Sequence, residues 1–80
     1  MARQSALPPN LPPRLIDREA AAAYVSLAPN TFDARVKAGA LPKPKRPSPG
    51  RLAWDVRELD RAIDALPTEG ASAEADETWS

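Results

Sequence analysis

The stretch PNTFDARVKAG, residues 29–39, decides the fold, because it carries the signals of one short helix from beginning to end. Pro29 suits the first position of a helix, where its missing N–H group costs nothing. Phe32 and Val36 are four residues apart and share a face, which we expect to point into a core. Gly39 is a favoured residue just after a helix end. The stretch therefore predicts a helix that ends immediately before this glycine.

A second helix precedes this stretch. Asp17 is a preferred N-cap, since its carboxylate can accept a bond from a free backbone N–H. The alanine run after Glu19 has high helix propensity, and we expect the helix to cover residues 18–25. The turn Ser26-Leu27-Ala28 joins it to the next helix. Two short helices joined in this way form a helix-turn-helix arrangement.

The proline-rich stretch that follows excludes another helix at this position. Residues 43–46 and 51–54 predict two short extended segments that pair around residues 47–50, and the prolines restrict them to edge strands. Asp55 then caps a third helix, with Glu58 at the spacing of a capping box. The sequence therefore predicts a mainly α fold with a small β-hairpin wing, a winged helix-turn-helix of three short helices and two short strands.

The chain divides into three predicted segments. Residues 1–14 are a Pro-rich flexible arm, residues 15–67 are the winged helix-turn-helix DNA-binding domain, and residues 68–80 are an acidic disordered tail. On the last helix, Val56 and Leu66 fall on the apolar face. The predicted core consists of Phe32, Val36, Leu41, Leu52, Trp54, Leu59 and Ile63. Trp54 could instead stack on a base, but its place just before a capped helix favours a packed anchor.

Charge is separated along the chain although the net charge is zero. Residues 34–54 contain no acidic residue and six basic ones, whereas residues 67–80 contain four acidic residues and no basic one. Local potential governs binding more than the total charge does. The basic central segment therefore indicates a nucleic-acid partner.

The composition argues against an enzyme and against a metal or cofactor site. The chain has no cysteine and no histidine, so the usual nucleophile, general base and metal ligands are missing. Asp60 and Asp64 lie one turn apart and imitate a carboxylate pair, but surface charge is the favoured interpretation. No apolar run approaches the length of a membrane span or a signal peptide, and we expect a cytoplasmic protein.

The predicted DNA-binding surface has two parts. The outward positions of the recognition helix are Asn30, Thr31, Asp33, Ala34 and Lys37. The wing and its flank contribute Arg35, Lys43, Lys45, Arg46, Ser48 and Arg51, which can follow the phosphate backbone or enter the minor groove. Asp33 would repel phosphate, so it must accept a bond from a cytosine amine or pair with a neighbouring arginine.

These motifs, in this order and spacing, resemble the AlpA-like and excisionase-type winged helix-turn-helix proteins, relatives of the MerR DNA-binding head. The likeness covers roughly residues 15–67. It is carried by residues 29–39, the Leu-Pro-Lys-Pro-Lys turn at 41–45, the Gly-Arg-Leu-Ala-Trp-Asp stretch at 50–55, and Glu58-Leu59-Asp60. Two positions depart from the family pattern, since the turn often carries Gly where this chain has Ser26, and the helix cap is often Ser or Thr where it has Ala28.

The resemblance implies a DNA-binding accessory protein of a bacterial or phage mobile element, associated with the nucleoid. An excisionase, or recombination directionality factor, binds repeated sites on double-stranded DNA, bends the DNA and directs an integrase toward excision. Such a small module is expected to self-associate cooperatively on DNA. A transcriptional regulator of mobile-element genes is one alternative. Another is a protein-interaction module or antagonist that uses the acidic tail.

Overall fold

The computed structural model describes residues 6–69, and this part of the chain contains three helices and one antiparallel sheet. The elements in chain order are β1 (Leu15–Ile16), α1 (Arg18–Tyr24), α2 (Pro29–Lys37), β2 (Lys45–Ser48), β3 (Arg51–Asp55) and α3 (Val56–Ala65). The strand order is β1-β3-β2. The three predicted helices are confirmed, and the molecule is a small α/β domain.

The prediction of only two strands is wrong, because β1 forms a third. Leu15 pairs with Asp55 and Ile16 with Trp54, so β1 lies antiparallel to β3. Two residues are too few to show an alternating pattern, and β1 is a strand only because β3 lies beside it. The domain boundaries at residues 14 and 67 stay predictions.

The β2–β3 hairpin is longer at its tip than predicted. Pro47 and Ser48 belong to β2 instead of a loop, and Gly50, at φ +81°, forms the turn with Pro49. The register shifts between Lys45 and Ser48. β2 is an edge strand, which is where the missing N–H of Pro47 is tolerated.

Local capping explains where the helices start. The Asp17 carboxylate accepts a hydrogen bond of 2.9 Å from the backbone N–H of Ala20, as the sequence predicts. Asp55 accepts one of 2.9 Å from the N–H of Arg57 and so caps α3. The predicted capping box is not formed, because the Glu58 side chain instead pairs with Lys45.

Helices α1 and α2 end in the same left-handed motif. After α1, the N–H of Leu27 bonds the carbonyl of Ala22 at 2.8 Å, and Ser26 has φ +64°. After α2, the N–H of Ala40 bonds the carbonyl of Arg35 at 2.9 Å, and Gly39 has φ +85°. These are Schellman motifs, which satisfy the free carbonyls at a helix end and set the direction of the departing chain.

The core lies between the three helices and β3. Phe32 and Leu59 are fully buried, and the rings of Phe32 and Trp54 meet edge-to-face with centroids 5.1 Å apart. The Trp54 indole N–H donates to the carbonyl of Pro42 at 2.9 Å. Leu41 is also buried. The prediction that Trp54 is a packed anchor is therefore confirmed.

One predicted core position is wrong. Leu52 is 44% exposed, because it lies nearer the hairpin tip than Trp54 and faces an open concavity instead of the packed interior. Leu66, which the sequence places on the apolar face of the last helix, is 48% exposed, since α3 ends at Ala65 and the chain turns away from that face. Val36 and Ile63 are only half-buried.

Polar contacts hold the elements at their edges. The Tyr24 hydroxyl donates to Asp60 at 2.6 Å and joins α1 to α3, which accounts for one member of the Asp60–Asp64 pair. Arg14, at the end of the predicted arm, forms a salt bridge of 3.0 Å with Asp55. None of the helices in residues 6–69 has the length and apolar content that a membrane crossing requires.

Candidate nucleic-acid interface

The outer face of α2 is open to solvent. Phe32 points into the core, and every predicted recognition position is exposed, namely Asn30, Thr31, Asp33, Ala34 and Lys37. At the start of the helix, Ala28 supplies no side-chain cap, so the first N–H groups have no such partner. The face is accessible along its whole length, as a helix that enters a groove requires.

An open concavity lies between α2 and the β2–β3 hairpin. It brings together two of the predicted cations, Lys37 of α2 and Lys43 before the hairpin, and a third cation, Arg18 of α1. Its remaining lining residues are Asp33, Val36, Pro44, Leu52 and Trp54. The surface is thus an apolar floor flanked by basic side chains, with one carboxylate among them.

Asp33 is bound by Arg18, which decides between the two alternatives left open for it. The Arg18 Nε donates to the two Asp33 oxygens at 3.0 and 3.1 Å, and Nη2 donates to Oδ2 at 2.7 Å. These hydrogen bonds lower the pKa of Asp33 and raise that of Arg18, and the nearby charge of Lys37 also lowers the pKa of Asp33. Asp33 is therefore a charged partner of Arg18 across the two helices.

Arg18 is the residue of this surface that the sequence analysis missed. It sits on α1, just after the Asp17 cap, and the two ion-paired residues are fifteen positions apart. The only sequence signal was the need of Asp33 for a basic neighbour. The distance along the sequence does not identify which arginine pairs with Asp33.

The predicted wing residues do not share one surface. Lys45 pairs with Glu58 of α3 at 3.0 Å, so this cation is partly neutralised. Arg46 and Ser48 are exposed on β2, and Arg35 is exposed near the end of α2. Arg51 lies on the opposite side of the sheet from Leu52, in a shallow hollow with residues of the N-terminal segment.

The described residues hold no group of three or more His, Cys, Asp or Glu side chains suited to a metal ion. Every buried side-chain nitrogen or oxygen in residues 6–69 has a hydrogen-bond partner. The polar groups that remain available to a ligand here are therefore at the surface. Compared with known proteins, the chain matches no family model, no curated protein and no solved structure.

Proposed function

We propose that this chain is a sequence-specific DNA-binding accessory protein with a winged helix-turn-helix fold. In this proposal α2 enters the major groove of double-stranded DNA, and the β2–β3 hairpin is the wing. The observation that carries the proposal is the cationic concavity, in which Arg18, Lys37 and Lys43 flank the exposed face of the second helix. In a helix-turn-helix protein the second helix docks in the major groove of DNA.

Charge and shape agree with this role. A basic patch beside an exposed helix face attracts the phosphate backbone, and hydrogen-bonding side chains on the helix read base edges. Asn30 and Lys37 are suited to an adenine edge and to a guanine edge or phosphate, respectively. Thr31 and the uncapped N–H groups at the start of α2 suit a phosphate oxygen.

Within this class we favour an excision factor, on the sequence resemblance described above. A single module of this size contacts few base pairs, so we expect modest affinity for one site and cooperative binding of several copies to adjacent sites. A recombination assay with an integrase present tests this role. Increased excision supports it, and a change only in transcription of adjacent genes favours a regulator.

A mobility-shift titration of the full chain against duplex DNA at several salt concentrations tests DNA binding itself. If about four to six basic residues meet phosphates, log K should fall with log[salt] with a slope of about −4 to −5. Successive bands should appear on DNA that carries repeated sites. A weak, salt-independent signal would contradict the proposal.

Lys37→Ala tests a single proposed contact between α2 and DNA. The Lys37 side chain is exposed, so the circular dichroism spectrum should stay unchanged while binding weakens and the salt slope decreases by about 1. Arg61→Ala is the control, since Arg61 is an exposed cation of α3 that does not line the concavity. Equal losses in both variants would show that only total charge matters.

A further inference from the structure

We propose that Arg18 is a specificity-determining residue that binds a guanine in the major groove, and that Asp33 is the residue that positions it. This inference rests on the proposed DNA binding and adds a base preference contributed by α1. It also gives a role to the one carboxylate in the concavity.

The ion pair fixes one edge of the guanidinium. Arg18 uses Nε and Nη2 toward Asp33, with its shortest contact at 2.7 Å. Nη2 also approaches Asn30 Oδ1 at 3.4 Å, a long contact at the limit of hydrogen bonding. Both partners belong to α2, so the arginine of α1 is held against the proposed recognition helix from two directions.

A second edge of the guanidinium, formed by Nη1 and the other N–H of Nη2, makes only the long contact to Asn30. An arginine has five N–H groups in a planar fork, and Nη1 makes no hydrogen bond to any residue in the described range 6–69. The Nη1 and Nη2 end is the edge that can bond O6 and N7 of guanine together, once the long Asn30 contact is exchanged. The Arg18 side chain remains 43% exposed, so a base edge can reach it.

A role limited to stability explains the pair poorly. Solvent-accessible ion pairs contribute little to folding, and the side chains of Arg18 and Asp33 are 43% and 49% exposed. The α1–α2 junction is already held by the Schellman motif at Ser26 and by the buried ring of Phe32. Asp33 also places a negative charge on the surface proposed to face DNA phosphates, which weakens non-specific binding to DNA.

Positioning gives this carboxylate a purpose. A free arginine side chain loses rotational freedom when it binds, whereas one already held in place loses less. This gain in binding free energy applies only to DNA sequences that present the guanine O6 and N7 acceptors at the right position. The pair therefore favours discrimination between bases over total affinity.

The experiment compares full-length wild type, Arg18→Ala and Asp33→Asn, with Arg61→Ala as control. Selection from randomised duplexes gives the base preference at each position of the bound site. Affinity is then measured for the selected duplex, for one with the preferred guanine pair replaced by an adenine pair, and for one with 7-deazaguanine, which lacks the N7 acceptor. Circular dichroism and thermal unfolding report the fold.

Wild type should prefer guanine at one position and lose affinity about 5- to 150-fold when that guanine is replaced. Arg18→Ala should abolish the preference at that position only and should not respond to 7-deazaguanine. Asp33→Asn should bind unrelated duplexes more tightly than wild type and discriminate less at the same position. Arg61→Ala should keep the wild-type preference.

Other results would overturn the inference. If Arg18→Ala weakens binding to all sequences equally and leaves every preference intact, Arg18 is a phosphate contact. If Arg18→Ala unfolds, Arg18→Lys keeps the charge without the planar fork, and an unchanged guanine preference in that variant rejects the assignment. Absence of duplex binding by wild type rejects the proposed function itself, whereas binding with no guanine preference rejects only the role of Arg18.

Discussion

Ser26 shows how one residue can carry strain that its position demands. The turn after α1 places a residue in the left-handed conformation, and this residue is a serine at φ +64°. For residues other than glycine this conformation costs about 1–2 kcal/mol. The same motif after α2 uses Gly39, so the two turns form an internal comparison.

We expect Ser26→Gly to stabilise the domain by about 0.5–1 kcal/mol, because relief of the left-handed strain exceeds the extra chain entropy of glycine. Thermal unfolding measures this as a rise of several degrees for a domain of this size. Gly39→Ser is the mirror experiment and should lower stability by about 1 kcal/mol. A new Cβ at Gly39 meets no atom within 4 Å, so only the backbone conformation is tested. A neutral result at both sites would contradict this account.

Arg14 and Asp55 connect elements that are far apart in the chain. The Asp55 side chain is 5% exposed at the junction of β3 and α3, whereas that of Arg14 is 58% exposed. Asp55 accepts two bonds from Arg14, at 3.2 and 3.0 Å, and also the capping bond from Arg57. The hydrogen bonds from Arg14 are the main cause that lowers the pKa of Asp55 from its usual 3.8 to about 2.

This pair predicts a specific loss of stability in acid. Since the folded state holds the carboxylate charged, its contribution is complete above pH 3.8 and disappears as the pH falls through about 2. The unfolding temperature of the wild type should therefore decrease between pH 4 and pH 2. Arg14→Gln should start lower at pH 7 and decrease less over the same interval. Parallel curves for the two proteins would show that the pair does not contribute.

Local signals predicted the helices well, whereas tertiary contacts escaped them. Asp17, Pro29, Gly39 and Asp55 act on their immediate neighbours, and each marks a helix end as expected. The strand β1 was missed because its two residues are extended only through pairing with β3.

The candidate site was predictable in part for the same reason. The exposed face of α2 follows from helical periodicity, so the sequence identified it. Arg18 was missed because its partner, Asp33, lies on another helix. Leu52 was assigned to the core because it is apolar, but how far the core extends along β3 is a property of the packed helices.

At the scale of the whole molecule, the arrangement of charge matters more than its sum. Eleven acidic and eleven basic residues cancel, yet residues 68–80 carry four of the acidic ones and no basic one. Trp79 and the other residues beyond 69 lie outside the described part, and the acidic disordered tail stays a prediction. Removal of residues 68–80 changes the net charge from zero to +4.

We expect a variant lacking residues 68–80 to bind unrelated duplex DNA about tenfold more tightly at low salt and to lose this advantage at high salt. The unfolding temperature should change little, because α3 ends at Ala65 and Leu66 closes it. The matched control keeps the full length and replaces the four acidic residues by their amides. If only the truncation tightens binding, bulk and not charge is responsible, and if neither does, the tail does not oppose DNA binding.

The proline in the outer strand of the sheet bears on how copies of this protein behave when crowded. An exposed strand normally offers a row of amide hydrogens that can recruit a foreign strand and start a fibril. In β2, Pro47 has no amide hydrogen to offer, and the register of the strand shifts between Lys45 and Ser48. The unpaired edge of β2 is therefore a poor template for the addition of a strand from another copy. Contacts between crowded copies are then expected to involve side chains and to be reversible.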